Sequence, residues 1–273
     1  MKKILFFSLL AVSLYSCKKI SLDETMPQDN ISAATKAKIA SLGFGTSNIQ
    51  QTEDGYLVEG DILLTDALLN STPTQSLMRI ANNEQYRTTN LVTVGTTRVI
   101  TVLVSNLGPA FVSGADLAIS RYNALGLRMT FQRVSSGTPT PDITILGFNQ
   151  KARGGSITLG SAGFPSAGNP YNTIKMNTND QAYGANPDVN YVGSVIQHEM
   201  GHCIGMRHTD YMDRSFSCGG TPTNEGASTI GAILIPGTPS GPDAGSWMLA
   251  CTGPTNPRTF NANDAIGLRA LYQ

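Results

Sequence analysis

The chain holds three histidines, and all of them fall in one short run, at positions 198, 202 and 208. The run reads His198-Glu199-Met200-Gly201-His202-Cys203-Ile204-Gly205-Met206-Arg207-His208. Two imidazoles four residues apart share one face of a helix, so a fold that uses both must carry a helix through this stretch. Glycine accepts the left-handed conformation that ends a helix, so Gly205 turns the chain back and brings His208 to the same point. Three imidazoles on one ion leave a fourth position open, the mark of a catalytic rather than a structural zinc site. A zinc ion bound there brings its water to a pKa of about 7 and polarises a carbonyl. Glu199 stands beside the first ligand without being one, placed to accept a proton from that water and carry it to a leaving amine. With His198, His202 and His208 committed to one Zn2+, no imidazole is left for a triad or a cysteine nucleophile. No G-x-S-x-G elbow is present either.

Lysine plus arginine and aspartate plus glutamate both number 19, so the formal net charge is zero. That excludes the electrostatic footprint of a nucleic-acid or anionic-membrane binder. Charged residues are 14% of the chain, against roughly 25% in an average domain, and such a surface suits an exported protein. Residues 1–17 support export: Met1-Lys2-Lys3 precedes an apolar run from Ile4 to Leu14, a secretory signal too short to span a bilayer. Leu14-Tyr15-Ser16-Cys17 resembles a bacterial lipobox, with Tyr15 in place of the usual small or aliphatic residue. The resemblance implies lipidation of Cys17; an ordinary cleaved signal is the other reading. The expected location is outside a bacterial cell, as an outer-membrane or cell-surface lipoprotein or else a secreted protein. Membrane contact is expected only through that anchor, with a monomeric body.

Residues 18–90 have a polar start, a helical stretch near Ser32 to Ser41 and weak alternation over Gly55 to Leu69, with no periodicity of a self-sufficient core. They read as a pro-segment, and residues 91–273 as the catalytic domain. Arg98 to Ser105 is a strand with both faces apolar. Ser113 caps a helix that Gly126 ends. Leu127 to Val134, Asp142 to Leu146, Ser156 to Leu159 and Asn172 to Asn177 read as further strands, ahead of the histidine helix that starts at Asp188 to Asn190. Gly155 to Gly160 is a candidate edge on which a peptide adds as another strand. A Gly, Pro, Ser and Thr-rich stretch then runs to Asn261, which caps a closing helix over Ala262 to Tyr272 with Ala265, Ile266, Leu268, Leu271 and Tyr272 as its apolar set. The fold class is α+β.

The string HEMGHCIGMRHTD resembles the metzincin zinc metalloendopeptidases, and most of all the bacterial dual-action HEIGH metallopeptidases, relatives of the astacins. The resemblance covers roughly residues 91–273. It implies a twisted mixed sheet, an active-site helix and an irregular C-terminal subdomain with a methionine turn and a terminal helix. Met248, in Ser246-Trp247-Met248, is placed for that turn beneath the imidazoles; ordinary core packing is its other reading. Astacins carry a tyrosine two residues beyond this methionine, where this chain has Ala250. Glu59-Gly60-Asp61-Ile62 resembles the astacin pro-segment motif whose aspartate fills the open zinc position, with Val58 where that motif has phenylalanine. Asp61 is thus the candidate latency ligand; a plain Gly-Asp turn is the alternative.

Cys203 lies on the apolar stripe of the histidine helix with Val192 and Ile196, which suits a buried thiol. The expected bridge in an oxidising compartment is then Cys218 with Cys251, although Cys203 with Cys218 stays open. The function expected is an exported zinc endopeptidase acting on proteins or peptides. The alternative is a catalytically inactive surface lipoprotein that keeps zinc for structure, from which Glu199 discriminates because a structural site needs no base.

Overall fold

Ile100 and Val102 alternate to one face of a β-branched run and are fully buried, and around them the sheet is built. The computed structural model describes residues 31–70, 85–226, 230–239 and 241–273; the expected leader and Cys17 lie outside the described residues. First come α1 (Ala33–Ser41), β1 (Gln50–Thr52), β2 (Gly55–Val58), β3 (Ile62–Leu64) and α2 (Asp66–Leu69). Next are β4 (Tyr86–Arg87), β5 (Arg98–Val104), α3 (Pro109–Asn123), β6 (Met129–Val134), β7 (Ile143–Phe148), β8 (Gly160–Ala162) and β9 (Thr173–Asn177). The chain closes with α4 (Asp180–Tyr183), α5 (Val189–Cys203), α6 (Ser215–Cys218), β10 (Ile233–Leu234) and α7 (Ala262–Tyr272). Among the described residues eight strands form one mixed sheet, ordered β1-β2-β3-β8-β9-β7-β5-β6, and β4 pairs with β10 separately. This is the expected α+β architecture. Among the described residues no helix is long and apolar enough to cross a membrane.

Helices α3 and α5 pack against each other on the sheet. Their close approach needs glycine on both sides: a β-carbon on Gly114 would lie 2.9 Å from Val192 Cγ1, and one on Gly193 would lie 3.2 Å from the Gly114 carbonyl oxygen. The core between helices and sheet takes in Ile143, Ile145, Ile174, Met176, Val192, Ile196 and Met200. A second core gathers Ile39, Leu42, Phe44, Val58, Ile62 and Leu64 from the N-terminal segment, and Phe164 and Ile230 complete it. Residues 31–70 therefore bury their apolar side chains with help from the rest of the chain, as a segment without a core of its own must.

Four local expectations change. Helix α3 starts at Pro109 after Gly108, not at Ser113, because proline at the first helical position sacrifices an N–H that has no partner there anyway. Strand β5 is buried on one face only: Val99 is 53% exposed. In α7 the expected apolar set includes Ile266, which is 41% exposed; the Asn261 cap is as expected, closed by a reciprocal bond from Asp264. The strand expected at Ser156 to Leu159 is instead β8, and it is not an edge. Strand β3 pairs with it in parallel, Ile62 opposite Ala162.

Candidate active site

Helix α5 begins at an Asp188 cap, whose carboxylate accepts from Tyr191 N at 2.8 Å, and ends at Cys203. Its end is a Schellman turn: Met206 N donates to Gly201 O and Gly205 N to His202 O, both at 2.9 Å, with Gly205 at φ 103°. A β-carbon on Gly205 would also lie 2.9 Å from Leu91 Cδ2 and 3.0 Å from Asn90 O, so the position needs glycine twice over. The turn delivers His208 to the two helical histidines. Ring centroids stand 4.7 Å apart for His198 and His202, 5.3 Å for His198 and His208, and 4.9 Å for His202 and His208.

Each imidazole is anchored through Nδ1. His198 Nδ1 lies 2.9 Å from Trp247 O, His202 Nδ1 2.9 Å from Met206 O, and His208 Nδ1 2.9 Å from Glu225 Oε1. Anchoring by an acceptor puts a proton on Nδ1, which leaves a lone pair on Nε2 of His198 and His202 and turns Nε2 of His208 toward Asp61. The Nε2 atoms of the three rings and a carboxylate oxygen of Asp61 then lie within 4.8 Å of one another. Asp61 Oδ2 is 3.2 Å from His208 Nε2 and 3.4 Å from His198 Nε2. His198 Nε2, His202 Nε2 and Asp61 Oδ1, and beside the set Glu199 Oε2, are buried without a hydrogen-bond partner. Buried lone pairs left unpartnered around one point fit a cation of the kind that imidazole and carboxylate prefer. Burial works against charge on His208, but Asp61 and Glu225 outweigh it and raise its pKa. His202 has its pKa lowered by burial and by its two neighbouring rings. Burial first, then Asp61, pushes the Glu199 carboxyl well above the ordinary range.

Asp61 reaches the histidines from the loop joining β2 to β3. Glu59 and Gly60 both take positive φ, 56° and 92°, a left-handed pair that tightens the turn. Both expectations for Asp61 describe the same place: it sits in a Gly-Asp turn, and that turn points at the rings. The loop backbone is fixed as well, since Ala162 N donates to Asp61 O at 3.0 Å and Thr158 Oγ1 to Gly60 O at 3.1 Å. Glu59 is fully enclosed. Its Oε2 faces Arg207 Nη2 at 3.4 Å, and its carbonyl accepts from Arg214.

Met248 is buried below α5, where a β-carbon on Gly201 would lie 2.3 Å from the Trp247 ring and 2.7 Å from Met248 Sδ. Trp247 and Met248 can approach the helix only because residue 201 has no side chain. Asp264 holds this turn: its carboxylate accepts from Gln85 Nε2 at 2.6 Å, Ser246 Oγ at 3.0 Å and Trp247 N at 3.3 Å. Cys218 and Cys251 form a disulfide, and Cys203 is a buried free thiol. Asp210, two residues beyond His208, is buried and accepts from Ser217 Oγ at 2.6 Å and Ala250 N at 2.9 Å, tying the loop after the histidines to the strand of chain beyond Met248.

A family model described as dual-action HEIGH metallo-peptidase matches residues 56–272. The chain belongs to the dual-action HEIGH metallopeptidases. The match begins inside the N-terminal segment, ahead of the span from residue 91 over which the sequence resemblance runs. No curated protein matches this metallopeptidase. The solved structures similar to it include two titled "Structure of myroilysin" and "Crystal structure of myroilysin". Each is 18% identical and covers 65% of this chain, with 95% and 86% of their own chains covered and TM-scores of 0.41 and 0.37.

Three contributors to the HEIGH site carry no signal in the sequence. Glu225, behind His208, comes from the Gly-rich stretch after the motif. Arg207 sits inside the motif yet is wholly buried, stacked 4.9 Å from the Phe44 ring. Gly160 is the third: a β-carbon there would lie 2.8 Å from Glu199 Oε1, so the bare backbone of β8 is what gives the Glu199 carboxylate its place. Gly160→Ala is expected to displace that carboxylate and lower kcat about 10- to 100-fold, with zinc content unchanged because the atoms nearest the new methyl all belong to Glu199 and not to an imidazole. Steady-state kinetics alongside metal analysis checks this.

Proposed function

We propose that this metallopeptidase is an exported zinc endopeptidase made with an inhibitory N-terminal segment. The observation that carries the reading is the convergence of three Nε2 atoms, each with its Nδ1 already committed, on a point that Asp61 also faces. When bound there, zinc supplies a Lewis acid and an acidified water. Glu199 Oε2, buried and unpartnered, is the base that accepts a proton and hands it to the leaving nitrogen. Burial favours that transfer, since it strengthens the hold of the carboxyl on a proton.

Strand β8 is the surface for the substrate backbone. While β3 lies along it an extended peptide has no ladder to join; once the segment leaves, the β8 ladder becomes available. The inhibitory segment ends before Gln85, not at residue 90. Gln85 is fully buried on Asp264, and Thr88 N donates to Gly205 O at 2.7 Å, so residues 85–90 belong to the scaffold that holds the histidines. Export, with Cys17 as the lipid-bearing residue, rests on the leader pattern of residues 1–17. Treating an active preparation with a zinc chelator is expected to abolish cleavage of a peptide library, and one equivalent of zinc to restore it. Cleavage that survives chelation overturns the assignment.

A further inference from the structure

We infer that Glu225 is the positioning residue for the third ligand, His208. The three imidazoles are not anchored alike. His198 and His202 give their Nδ1 protons to backbone carbonyls of Trp247 and Met206, both in turns braced against α5. His208 lies beyond the helix end, on irregular backbone, and takes a carboxylate instead, with Glu225 oxygens 2.9 and 3.2 Å from its Nδ1. At the same 2.9 Å a charged acceptor makes a stronger bond than a carbonyl, so it fixes ring orientation and tautomer where the backbone alone does not.

The burial of that carboxylate is built for. Both side chains of the pair are completely buried, a costly arrangement for a carboxylate unless cations surround it. Arg214 Nη1 lies 2.7 Å from Glu225 Oε1, and Arg207 Nη2 lies 3.7 Å from Oε2. Arg207 is itself held by the carbonyls of Gly231 and Gly226, each at 3.3 Å, and Glu225 N donates to Tyr211 O at 2.7 Å. The two guanidiniums thus brace Glu225, and Glu225 braces the ring. Glu59 of the N-terminal segment shares Arg207, so the segment that presents Asp61 to the front of His208 also touches the group behind it.

This assignment rests on the three histidines holding the metal, and the test separates the two. On the full chain, zinc affinity is measured by competition with a chromogenic chelator, and the Co2+ form by its visible spectrum, for the wild type, Glu225→Gln and Glu225→Asp. Glu225→Gln is expected to bind zinc about 10- to 100-fold more weakly and to shift the Co2+ bands, with Glu225→Asp recovering part of both. In the zinc-loaded wild type, which needs no substitution to fold, the Nδ1 proton of His208 is expected furthest downfield of the three in the NMR spectrum. Glu225→Gln matching the wild type within about twofold in affinity with unchanged Co2+ bands, or three Nδ1 protons at one shift in the wild type, overturns the role of Glu225. A wild type that takes up no zinc overturns the three-histidine reading, and this one with it.

Discussion

Replacing Glu199 by glutamine is expected to lower kcat by about 10²- to 10⁴-fold while the zinc content stays at one ion. The two halves of that outcome come from different features. Glu199 neighbours His198 in sequence, but its oxygens lie outside the cluster formed by the three Nε2 atoms and Asp61, so the ion loses no ligand. What is lost is an acceptor: Glu199 Oε2 is buried with no partner, and an amide in its place has no basic oxygen to take a proton. Folding is expected to be unharmed. A buried carboxylate with an unpartnered oxygen disfavours the folded state, and a neutral amide of the same shape lightens that cost. Parallel measurement of kcat, zinc stoichiometry and thermal unfolding checks all three. Loss of zinc together with activity would make Glu199 a ligand, and full activity would leave the site without its base.

Much of the metal cradle is legible in the sequence because its parts are local. Two histidines at helical spacing, Asp188 at the start of α5 and Gly205 at its end need only the geometry of one helix, and Asn261 marks α7 in the same way. The start of α3 was equally local: Gly108-Pro109 is a helix-entry signal that outranks Ser113. What is not legible depends on partners far away in the chain. Arg207 is separated from Glu59 by 148 residues, and each reads as an ordinary surface charge until the other is placed beside it. Gly201 and Gly160 carry no mark either. Their lack of a side chain matters only because Trp247 and Glu199 press against them, and periodicity does not report a close approach. The place of β8 is hidden in the sequence for a related reason. Gly160-Ser161-Ala162 has little strand propensity of its own and is a strand because β9 and β3 pair with it from both sides.

Asp61 distinguishes a latent enzyme from a closed structural site, and Asp61→Ala in the full-length chain is expected to raise cleavage of a short peptide by about tenfold or more. A carboxylate tethered beside the rings acts at an effective concentration in the millimolar range, so even a weak ligand occupies its position most of the time. Removing it opens the fourth place. Release is expected to be partial, since the β3 pairing with β8 and the enclosed Glu59 side chain still hold the segment in place. The double change Glu59→Ala, Asp61→Ala is therefore expected to exceed the single one, because it also frees Arg207 from the segment. If Asp61 is instead the fourth ligand of a structural site, the outcome has the opposite sign. Asp61→Ala then weakens zinc binding, no activity appears in either variant, and removal of residues 31–70 destabilises the protein. Peptide cleavage by the two precursors, read beside their zinc affinity, decides between them, because the latency reading requires activity to rise while the three imidazoles keep the ion.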